Sequence, residues 1–217
     1  MKFLITAGPT REPLDPVRYL SNRSSGKMGY AVAAAALAEK HDVTLISGPV
    51  ALAAPPGVEL VRVTTGDEMF AAVSAQFAHC DVFVMCAAVC DYKPAHYASE
   101  KKKKERTRFF LELEPTRDIL ASLTSGPHDC FVVGFAAETE ALQANAQRKL
   151  AEKNCDLLVA NDVGRADIGM DSDENELMIF SKSGARKKLP RQKKTELARA
   201  LLKIILEVRE NCLTKKT

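Results

Sequence analysis

The residues with the clearest chemical potential lie in one short stretch, residues 21–29 (SNRSSGKMG), between an apolar segment and an alanine-rich one. The apolar segment, Lys2–Ala7, predicts a buried strand, and residues 30–39 predict a helix. Residues 24–26, two serines and a glycine, then stand where the first N–H groups of the helix lack partners and the positive end of its dipole points outward. Serine can cap such a helix, and glycine lets a phosphate approach the backbone. The stretch therefore predicts a phosphate-binding loop.

Other phosphate loops have a different spacing. A P-loop requires Gly-Lys-Ser/Thr with another glycine upstream, whereas here Lys27 is followed by Met28, and Ser21 occupies the upstream glycine position. A dinucleotide loop requires a glycine at the position of Ser24 and an acidic residue at the end of the second strand, where this chain has a serine. The spacing excludes a P-loop and does not support a dinucleotide loop. The remaining alternative to a phosphate site is an ordinary capped helix whose glycines serve packing.

Composition predicts one globular domain covering residues 1–217, since 217 residues with 46% hydrophobic content can bury a substantial core. The net charge of +3, from 31 basic and 28 acidic residues, does not indicate a nucleic-acid partner. Six cysteines without paired CxxC spacing indicate reduced thiols in a cytoplasmic protein. No apolar run approaches the length of a membrane span, and no signal peptide precedes the first strand, so no membrane partner is expected.

Strands and helices alternate along the chain, which predicts an α/β fold. Continuous apolar runs at residues 82–86, 130–134 and 156–160 are typical of parallel strands that are buried on both faces. Alternation at residues 109–114 predicts a further strand, and residues 177–189 predict a hairpin. The fold class predicted is a Rossmann-like, mostly parallel sheet with helices on both faces and a small antiparallel addition.

Ligands of such sheets bind at the carboxyl ends of the strands, and several charged residues fall there. Asp91 follows the strand at residues 82–86, as a ligand or as a turn carboxylate. A polar loop with four adjacent lysines, residues 101–104, comes next, and it can be a solvated face or a polyanion site that folds over the same crevice. Lys149 and Lys153 stand one helical turn apart, so both can reach a common anion.

Five motifs together resemble those of the phosphopantothenoylcysteine synthetase family, the ligase step of coenzyme A biosynthesis, in its bacterial form. They span most of the chain in the family's order, and they are residues 6–12 (TAGPTRE), 21–29 (SNRSSGKMG), 87–92 (AAVCDY), 100–104 (EKKKK) and 133–139 (VGFAAET).

The resemblance implies a reaction in two steps. The carboxylate of 4'-phosphopantothenate attacks the α-phosphate of CTP with Mg²⁺, which releases pyrophosphate and leaves an acyl-cytidylate, and the amine of L-cysteine then displaces CMP. The metal is carried largely by the triphosphate, and its protein ligands stay unknown. A homodimer is implied as well. Bifunctional relatives carry a flavin-dependent decarboxylase ahead of this domain, whereas this sequence begins at the first ligase strand. We therefore expect no flavin on this chain and expect the decarboxylase on a separate chain.

The resemblance also implies the site residues. Asn22 resembles the asparagine that handles the acyl-cytidylate, and Lys101 the loop lysine on the triphosphate, so these two are the predicted catalytic residues. The predicted CTP-binding residues are Ser24, Ser25, Gly26, Met85, Cys86, Ala87, Asp91, Lys101, Lys104, Asp118, Ile119, Leu120, Phe135, Lys149 and Lys153. Two departures weaken the match: residues 116–118 read Thr-Arg-Asp where bacterial relatives often have Asn-Pro-Asp, and Cys90 stands where alanine is common.

Two competing functions use the same fold. A nucleotide- or dinucleotide-binding module without ligase activity would not need Asn22 or the lysine loop, and both are present. An NAD(P)-dependent reductase would need an acidic residue after the second strand and a Tyr-Lys pair, and neither is evident in the sequence.

Overall fold

The computed structural model describes residues 1–103, 108–138, 142–162 and 172–214. Its strands are β1 (Lys2–Ala7), β2 (Arg11–Pro13), β3 (Tyr19–Ser21), β4 (Asp42–Ser47), β5 (Glu59–Arg62), β6 (Val82–Met85), β7 (Tyr92–Pro94), β8 (Leu113–Pro115), β9 (Phe131–Glu138), β10 (Leu157–Asp162), β11 (Glu174–Ser181) and β12 (Arg186–Lys193). Its helices are α1 (Lys27–Ala38), α2 (Gly66–Phe77), α3 (Ile119–Thr124), α4 (Leu142–Glu152) and α5 (Lys194–Thr214). Within the described ranges, no helix has the length and apolar character that crossing a membrane requires.

The main sheet has eight strands in the order β12-β11-β10-β9-β6-β1-β4-β5. Every neighbouring pair from β10 to β5 is parallel, whereas β11 and β12 are antiparallel additions at one edge. The chain builds β1, β4 and β5 in one direction and then returns to place β6, β9 and β10 in the other, which is the strand order of a Rossmann fold. The predicted fold class is therefore confirmed.

The direction of chain growth reverses between β1 and β6, which lie side by side with Phe3 paired to Val82 and Thr6 to Met85. The loops that leave these two strands diverge to opposite sides of the sheet, and a crevice opens between them at their carboxyl ends. The phosphate loop predicted from the sequence follows β1 and precedes α1, so it lies at this crevice.

Helices cover the sheet on both faces. Helices α1 and α5 pack on the face that carries Phe3, Ile5 and Val84. Helices α2, α3 and α4 pack on the opposite face, over Leu4 and Phe83. Since successive side chains of a strand point to opposite faces, strands covered on both sides must be apolar throughout, which explains the continuous runs in the sequence.

Two glycines permit the close packing that brings the loops together. A Cβ atom on Gly29, in the first turn of α1, would lie 2.6 Å from the Cβ of Ala7 at the end of β1. A Cβ atom on Gly48, after β4, would lie 1.9 Å from the carbonyl oxygen of Pro9. Larger residues at either position would push the helix or the loop away from the crevice.

A second group of elements, which we call the arm, projects from the loops after β1 and β6. It consists of the antiparallel pairs β2–β3 and β7–β8 together with residues 95–103 and 108–112. The strand predicted at residues 109–114 is confirmed only at residues 113 and 114, which belong to β8 and pair with β7. Phe109 and Phe110 are 58% and 86% exposed, so these two side chains lie on an uncovered surface and not on a buried face of a sheet.

The start of α1 also differs from the prediction. No serine side chain caps the helix, and its N-cap is Gly26 in a left-handed conformation with φ of 76°. The positive φ favours glycine and turns the chain sharply into the helix. The hydroxyl groups of Ser24 and Ser25 are therefore not used as the N-cap of this helix.

Candidate active site

Threonine side chains hold the loop after β6 against the loop after β1. The Thr6 hydroxyl accepts hydrogen bonds from the N–H groups of Cys86 and Ala87, both at 3.1 Å. The Thr10 hydroxyl accepts from the N–H group of Cys90 at 3.0 Å, and the N–H group of Thr10 donates to the carbonyl of Ala88 at 3.2 Å. The floor of the crevice is thus a hydrogen-bonded unit and not a pair of independent loops.

Asn22 bridges the crevice from the phosphate loop. Its side-chain amide nitrogen donates to the carbonyl oxygens of Ala88 at 3.1 Å and Val89 at 3.0 Å. Its side-chain oxygen accepts no hydrogen bond from a described residue, and the residue is exposed. The amide nitrogen of Asn22 therefore binds the loop after β6, while its side-chain oxygen stays available as an acceptor beside the cavity.

Two cavities adjoin along residues 87–91. One, of about 420 Å³, lies under the phosphate loop, and the other, of about 380 Å³, lies between β6, α3 and α4. They share a wall made of Ala87, Val89, Asp91, Phe135 and Lys149. Together their volume is in the range of sites for small molecules and cofactors.

The predicted site residues converge on these cavities. Asn22, Ser24, Ser25, Gly26 and Cys86 line the first, Met85, Asp118, Ile119, Leu120 and Lys153 line the second, and Ala87, Asp91, Phe135 and Lys149 line both. Of the predicted residues that the structure describes, Lys101 alone lines neither cavity and lies on the arm. Lys104 lies outside the described residues.

The two predicted lysines of the α4 region are held by carboxylates. Lys149 Nζ lies 2.7 Å from Oε1 of Glu138, whose side chain is 9% exposed and also accepts from the amide of Asn145 at 3.1 Å. Lys153 pairs with Asp118. These two lysines of the cavity lining are each paired with a carboxylate, which reduces the net charge they contribute.

Asp118 also caps the start of the short helix α3. As the N-cap it accepts the N–H group of Ala121 at 3.0 Å, so one carboxylate both caps α3 and holds Lys153. The pair ties α3 to the end of α4 across the second cavity. Sequence reasoning found both residues but not their contact.

Thr116 and Arg117 are among the residues of the second cavity that sequence reasoning missed. They are part of the departure from the pattern of bacterial relatives. The Arg117 guanidinium lies 4.2 Å from the centre of the Phe70 ring, a cation–π contact that holds it on α2. The position was visible in the sequence, whereas the ring that holds Arg117 comes from a distant helix.

A third cavity, of about 760 Å³, lies on the other side of the phosphate loop at the ends of β4 and β5. Ser24 and Ser25 line it along with three basic residues, Arg11, Lys27 and Arg62. Lys27 pairs with Asp173 at 2.6 Å, and the Arg11 guanidinium lies 4.6 Å from the centre of the Tyr19 ring. The predicted site residues do not include Lys27 or Arg62. The two serines thus stand between two cavities.

Thiols near the crevice are poor nucleophiles. Burial raises the pKa of the Cys86 thiol to about 12, and burial also raises the pKa of Cys90. Both are protonated at neutral pH, so neither is an activated nucleophile. In the described part of the chain, no cluster of three or more His, Cys, Asp or Glu side chains is arranged to hold a metal ion.

Comparisons with known proteins agree with the fold. The chain is 48% identical over 206 residues to the coenzyme A biosynthesis bifunctional protein CoaBC of Escherichia coli, covering 93% of this chain and 50% of that protein. It is 43% identical over 203 residues to CoaBC of Bacillus subtilis, with 93% and 50% covered. The chain spans about half the length of the curated relatives it matches.

Solved structures have the same fold. The crystal structure of the C-terminal domain of CoaBC superposes with a TM-score of 0.82 at 39% identity, covering 96% of each chain. A mutant of Cab2 in complex with phosphopantothenate-cysteine superposes with a TM-score of 0.83 at 16% identity, covering 100% of this chain and 89% of that one, which shows the shared fold alone. Residues 1–208 match the family described as the DNA/pantothenate metabolism flavoprotein C-terminal domain, and the chain belongs to that family.

Proposed function

We propose that the chain is a phosphopantothenate–cysteine ligase that uses CTP and that residues 1–217 form this one synthetase domain. The proposed reaction activates 4'-phosphopantothenate as an acyl-cytidylate with release of pyrophosphate, and L-cysteine then displaces CMP. The observation that carries the proposal is the convergence of the predicted nucleotide residues on two adjoining cavities at the sheet crevice. The 48% identity to CoaBC, whose name places it in coenzyme A biosynthesis, supports the same class of reaction.

Charge in the two cavities supports a role for the arm in the activation step. Transfer of a nucleotidyl group requires that negative charge on the triphosphate be neutralised as it builds up. Lys149 and Lys153 are each matched by a carboxylate, so these two lysines add little net positive charge to the cavities. The exposed lysines of the arm can supply that charge when they fold over the crevice, and Lys101 is the one we assign to the triphosphate.

Of the carboxylates at or beside these cavities, that of Asp91 is suited to bind a magnesium ion. Asp91 lines both cavities and makes no ion pair with a described residue, whereas Asp118 and Glu138 each hold a lysine. One or two carboxylates together with substrate phosphate oxygens are the usual way that proteins bind this ion. Asp91 would hold the ion, which when bound neutralises charge on the triphosphate.

The second step needs an acyl group held next to an amine. Asn22 leaves a neutral side-chain oxygen beside the cavity while its nitrogen stays on the loop after β6. A neutral amide can orient an amine but has no proton to give, so we assign it positioning of the acyl-cytidylate and not general acid or base catalysis. The protonated thiols of Cys86 and Cys90 leave the substrate's own amine as the nucleophile.

The order of product formation tests the proposal. Pyrophosphate should appear when phosphopantothenate and CTP are mixed with the protein, before cysteine is added, and ligated product only after its addition. CTP should outperform ATP. Omission of phosphopantothenate is the control and should abolish release. If no nucleoside triphosphate gives release, a nucleotide-binding module without ligase activity becomes the better assignment.

The proposal includes a homodimer and a location in the cytoplasm. An exposed aromatic surface on the arm supports the proposed dimer, because such surfaces often form protein interfaces. The five side chains are between 48% and 86% exposed, and they are Tyr19, Tyr92, Tyr97, Phe109 and Phe110. We also propose that the β11–β12 hairpin forms part of the contact.

Sedimentation of two variants locates the dimer contact. Phe110→Ser should give a monomer at micromolar concentration if the arm forms the interface. Leu213→Ser, which alters an equally apolar side chain that is 51% exposed at the end of α5, should leave the dimer intact. A wild-type monomer would remove the dimer from the proposal and leave the ligase reaction standing.

A further inference from the structure

The Asp15 side chain has no exposed surface although it lies in a turn of the arm. Its carboxylate accepts the N–H groups of Val17 and Arg18, both at 2.9 Å, and Nε of Arg18 at 3.0 Å. It also accepts the N–H group of Lys102 at 3.3 Å, from a segment far along the chain. Asp15 therefore joins its own turn to the lysine loop.

Lys102 is held on both sides of its peptide backbone. Arg18 Nη2 donates to the carbonyl oxygen of Lys102 at 3.0 Å, while Asp15 accepts its N–H group. The N–H group of Ala98 donates to the carbonyl of Leu14 at 3.1 Å, a second link between the same two segments. The residue directly before this clamp is Lys101.

The Lys102 side chain is also engaged. Its Nζ atom lies 4.7 Å from the centre of the Phe109 ring, on the far side of residues 104–107. The Lys102 backbone is thus held by Asp15 and Arg18, and its ammonium group is directed to an aromatic ring. Lys101 makes no ion pair with a described residue, so of these two lysines it is the one with a charge available to a ligand.

The Asp15 carboxyl stays ionised at neutral pH, which keeps its contacts with Arg18 and Lys102 intact. The Arg18 guanidinium, as the main cause, holds the pKa of the Asp15 carboxyl well below its usual range, and the N–H groups of Val17, Arg18 and Lys102 act in the same direction against the effect of burial. A carboxylate that accepts several N–H donors and a forked guanidinium is a well-ordered anchor.

We propose that Asp15 is a positioning residue for nucleotide activation, because it clamps the backbone of Lys102 and so restricts where Lys101 can reach. The inference rests on the proposed ligase function. An unrestrained lysine loop loses conformational entropy when it orders on a triphosphate, and a loop already fixed at one residue loses less. The clamp thereby lowers the entropy that is lost when Lys101 is ordered on a triphosphate.

Amide exchange without nucleotide tests the clamp itself. In Asp15→Asn, the peptide covering residues 98–103 should exchange hydrogen for deuterium at least about tenfold faster than in the wild type, since an N–H bond to a charged group is lost. Asp81→Asn is the matched control. Asp81 also accepts a backbone N–H, from Lys2 at 2.8 Å, and lies near Arg209, but at the opposite end of the sheet. Unchanged exchange at residues 98–103 in Asp15→Asn would overturn the proposal.

If Asp15→Asn does not fold, Asp15→Ser replaces it. Serine can still accept the N–H groups of its own turn but is too short to hold Lys102 and Arg18 together. The same increase in exchange at residues 98–103 is expected, with the rest of the protein protected as in the wild type.

A double-mutant cycle tests whether Asp15 acts through Lys101. Asp15→Asn should weaken CTP binding and lower kcat/KM about tenfold in the wild-type background, and much less in the Lys101→Gln background. Equal losses in both backgrounds would mean that Asp15 only stabilises the fold. Absence of pyrophosphate release by the wild type would overturn the ligase function, whereas the exchange result would still decide the clamp.

Discussion

The lysines on the two sides of the candidate site are held in different ways. On the sheet side, Lys149 and Lys153 each pair with a carboxylate that the fold itself fixes. On the arm side, Lys102 is held through its backbone and an aromatic ring, and Lys101 has no carboxylate partner among the described residues.

The difference separates two requirements of a nucleotide site. Paired lysines have defined positions and shape the wall, but an ion pair carries no net charge with which to balance a triphosphate. Free lysines carry the charge but pay conformational entropy to order. Paired lysines on the sheet side and charged lysines on an anchored arm together meet both requirements. Each of the following changes tests one of the two sides.

The largest effect is expected on the arm. Lys101→Gln should lower kcat/KM for CTP by about 10²–10³, because it removes a charge that acts on the triphosphate in the transition state. The free energy of unfolding should stay unchanged, since the residue is exposed. Steady-state pyrophosphate release and thermal unfolding are the two measurements.

Lys102→Gln is the control for that loss. Its ammonium group lies on the Phe109 ring, so its removal should lower kcat/KM less than about tenfold, as expected for an exposed cation–π contact. Equal and small effects at both lysines would mean that the run is only a solvated face, and the comparison of wall and arm would fail.

The next largest effect is expected at the crevice. Asn22→Asp cannot donate to the carbonyls of Ala88 and Val89, and its charge repels a neighbouring phosphate. Ligation should fall more than about tenfold, and the acyl-cytidylate should accumulate in a quenched reaction analysed by mass spectrometry.

Asn154→Asp is the control for this exchange of amide and carboxylate. Asn154 also donates its amide to a backbone carbonyl, that of Thr124 at 3.2 Å, but it lines neither candidate cavity. It should leave ligation close to wild type. Normal ligation by Asn22→Asp would make Asn22 a structural residue of the loop.

On the sheet side, Glu138→Gln should destabilise the protein by about 1–2 kcal/mol, because it leaves the Lys149 ammonium without its buried counter-charge while Lys149 keeps partial access to water. Chemical denaturation measures this loss. The value of kcat/KM for CTP should change less than it does in Lys101→Gln. A fall in kcat/KM as large as that of Lys101→Gln would show that the wall, and not the arm, supplies the charge.

A smaller effect is expected at α3. Asp118→Ala removes both the N-cap and the partner of Lys153, and should cost about 1 kcal/mol for the cap alone. Asp118→Asn keeps a capping oxygen and loses only the ion pair, so its cost should stay below about 1 kcal/mol. Denaturation curves of the two variants separate the contributions, and equal costs would contradict the double role.

The smallest effect concerns acid stability of the arm. The folded-state pKa of Asp15 is depressed, so its carboxylate contributes stability above its unfolded pKa of about 3.9 and loses that contribution as the pH falls below this value. The wild type should therefore lose stability over that acidic range more steeply than Asp15→Asn. Parallel acid limbs in the two unfolding curves would show that Asp15 keeps an ordinary pKa.

Much of the sheet could be predicted from the sequence, because strands buried on both faces must be continuously apolar. The arm could not. Residues 109–114 alternate like a strand, yet only the end of this segment pairs, since alternation reports the pattern of side chains and not the presence of a partner strand. The missing serine cap at α1 has a similar cause, because Gly26 takes a left-handed conformation that the spacing of residues does not reveal.

The features of the site also divide into those that could be predicted from the sequence and those that only the structure revealed. Local patterns were enough to predict the phosphate loop, Asp91 and the lysines as candidates, because the chemistry of a site depends on residue types at fixed offsets from strand ends. Asn22 and the role of Lys101 were predicted from the resemblance to a known family. Only the tertiary structure decided which lysines are neutralised and which remain charged, since Glu138 and Asp118 reach Lys149 and Lys153 from other elements. The clamp of Asp15 on Lys102 was invisible for the same physical reason. It joins a backbone N–H group to a carboxylate far away in the chain, and neither has a sequence signature until folding brings them within hydrogen-bond distance.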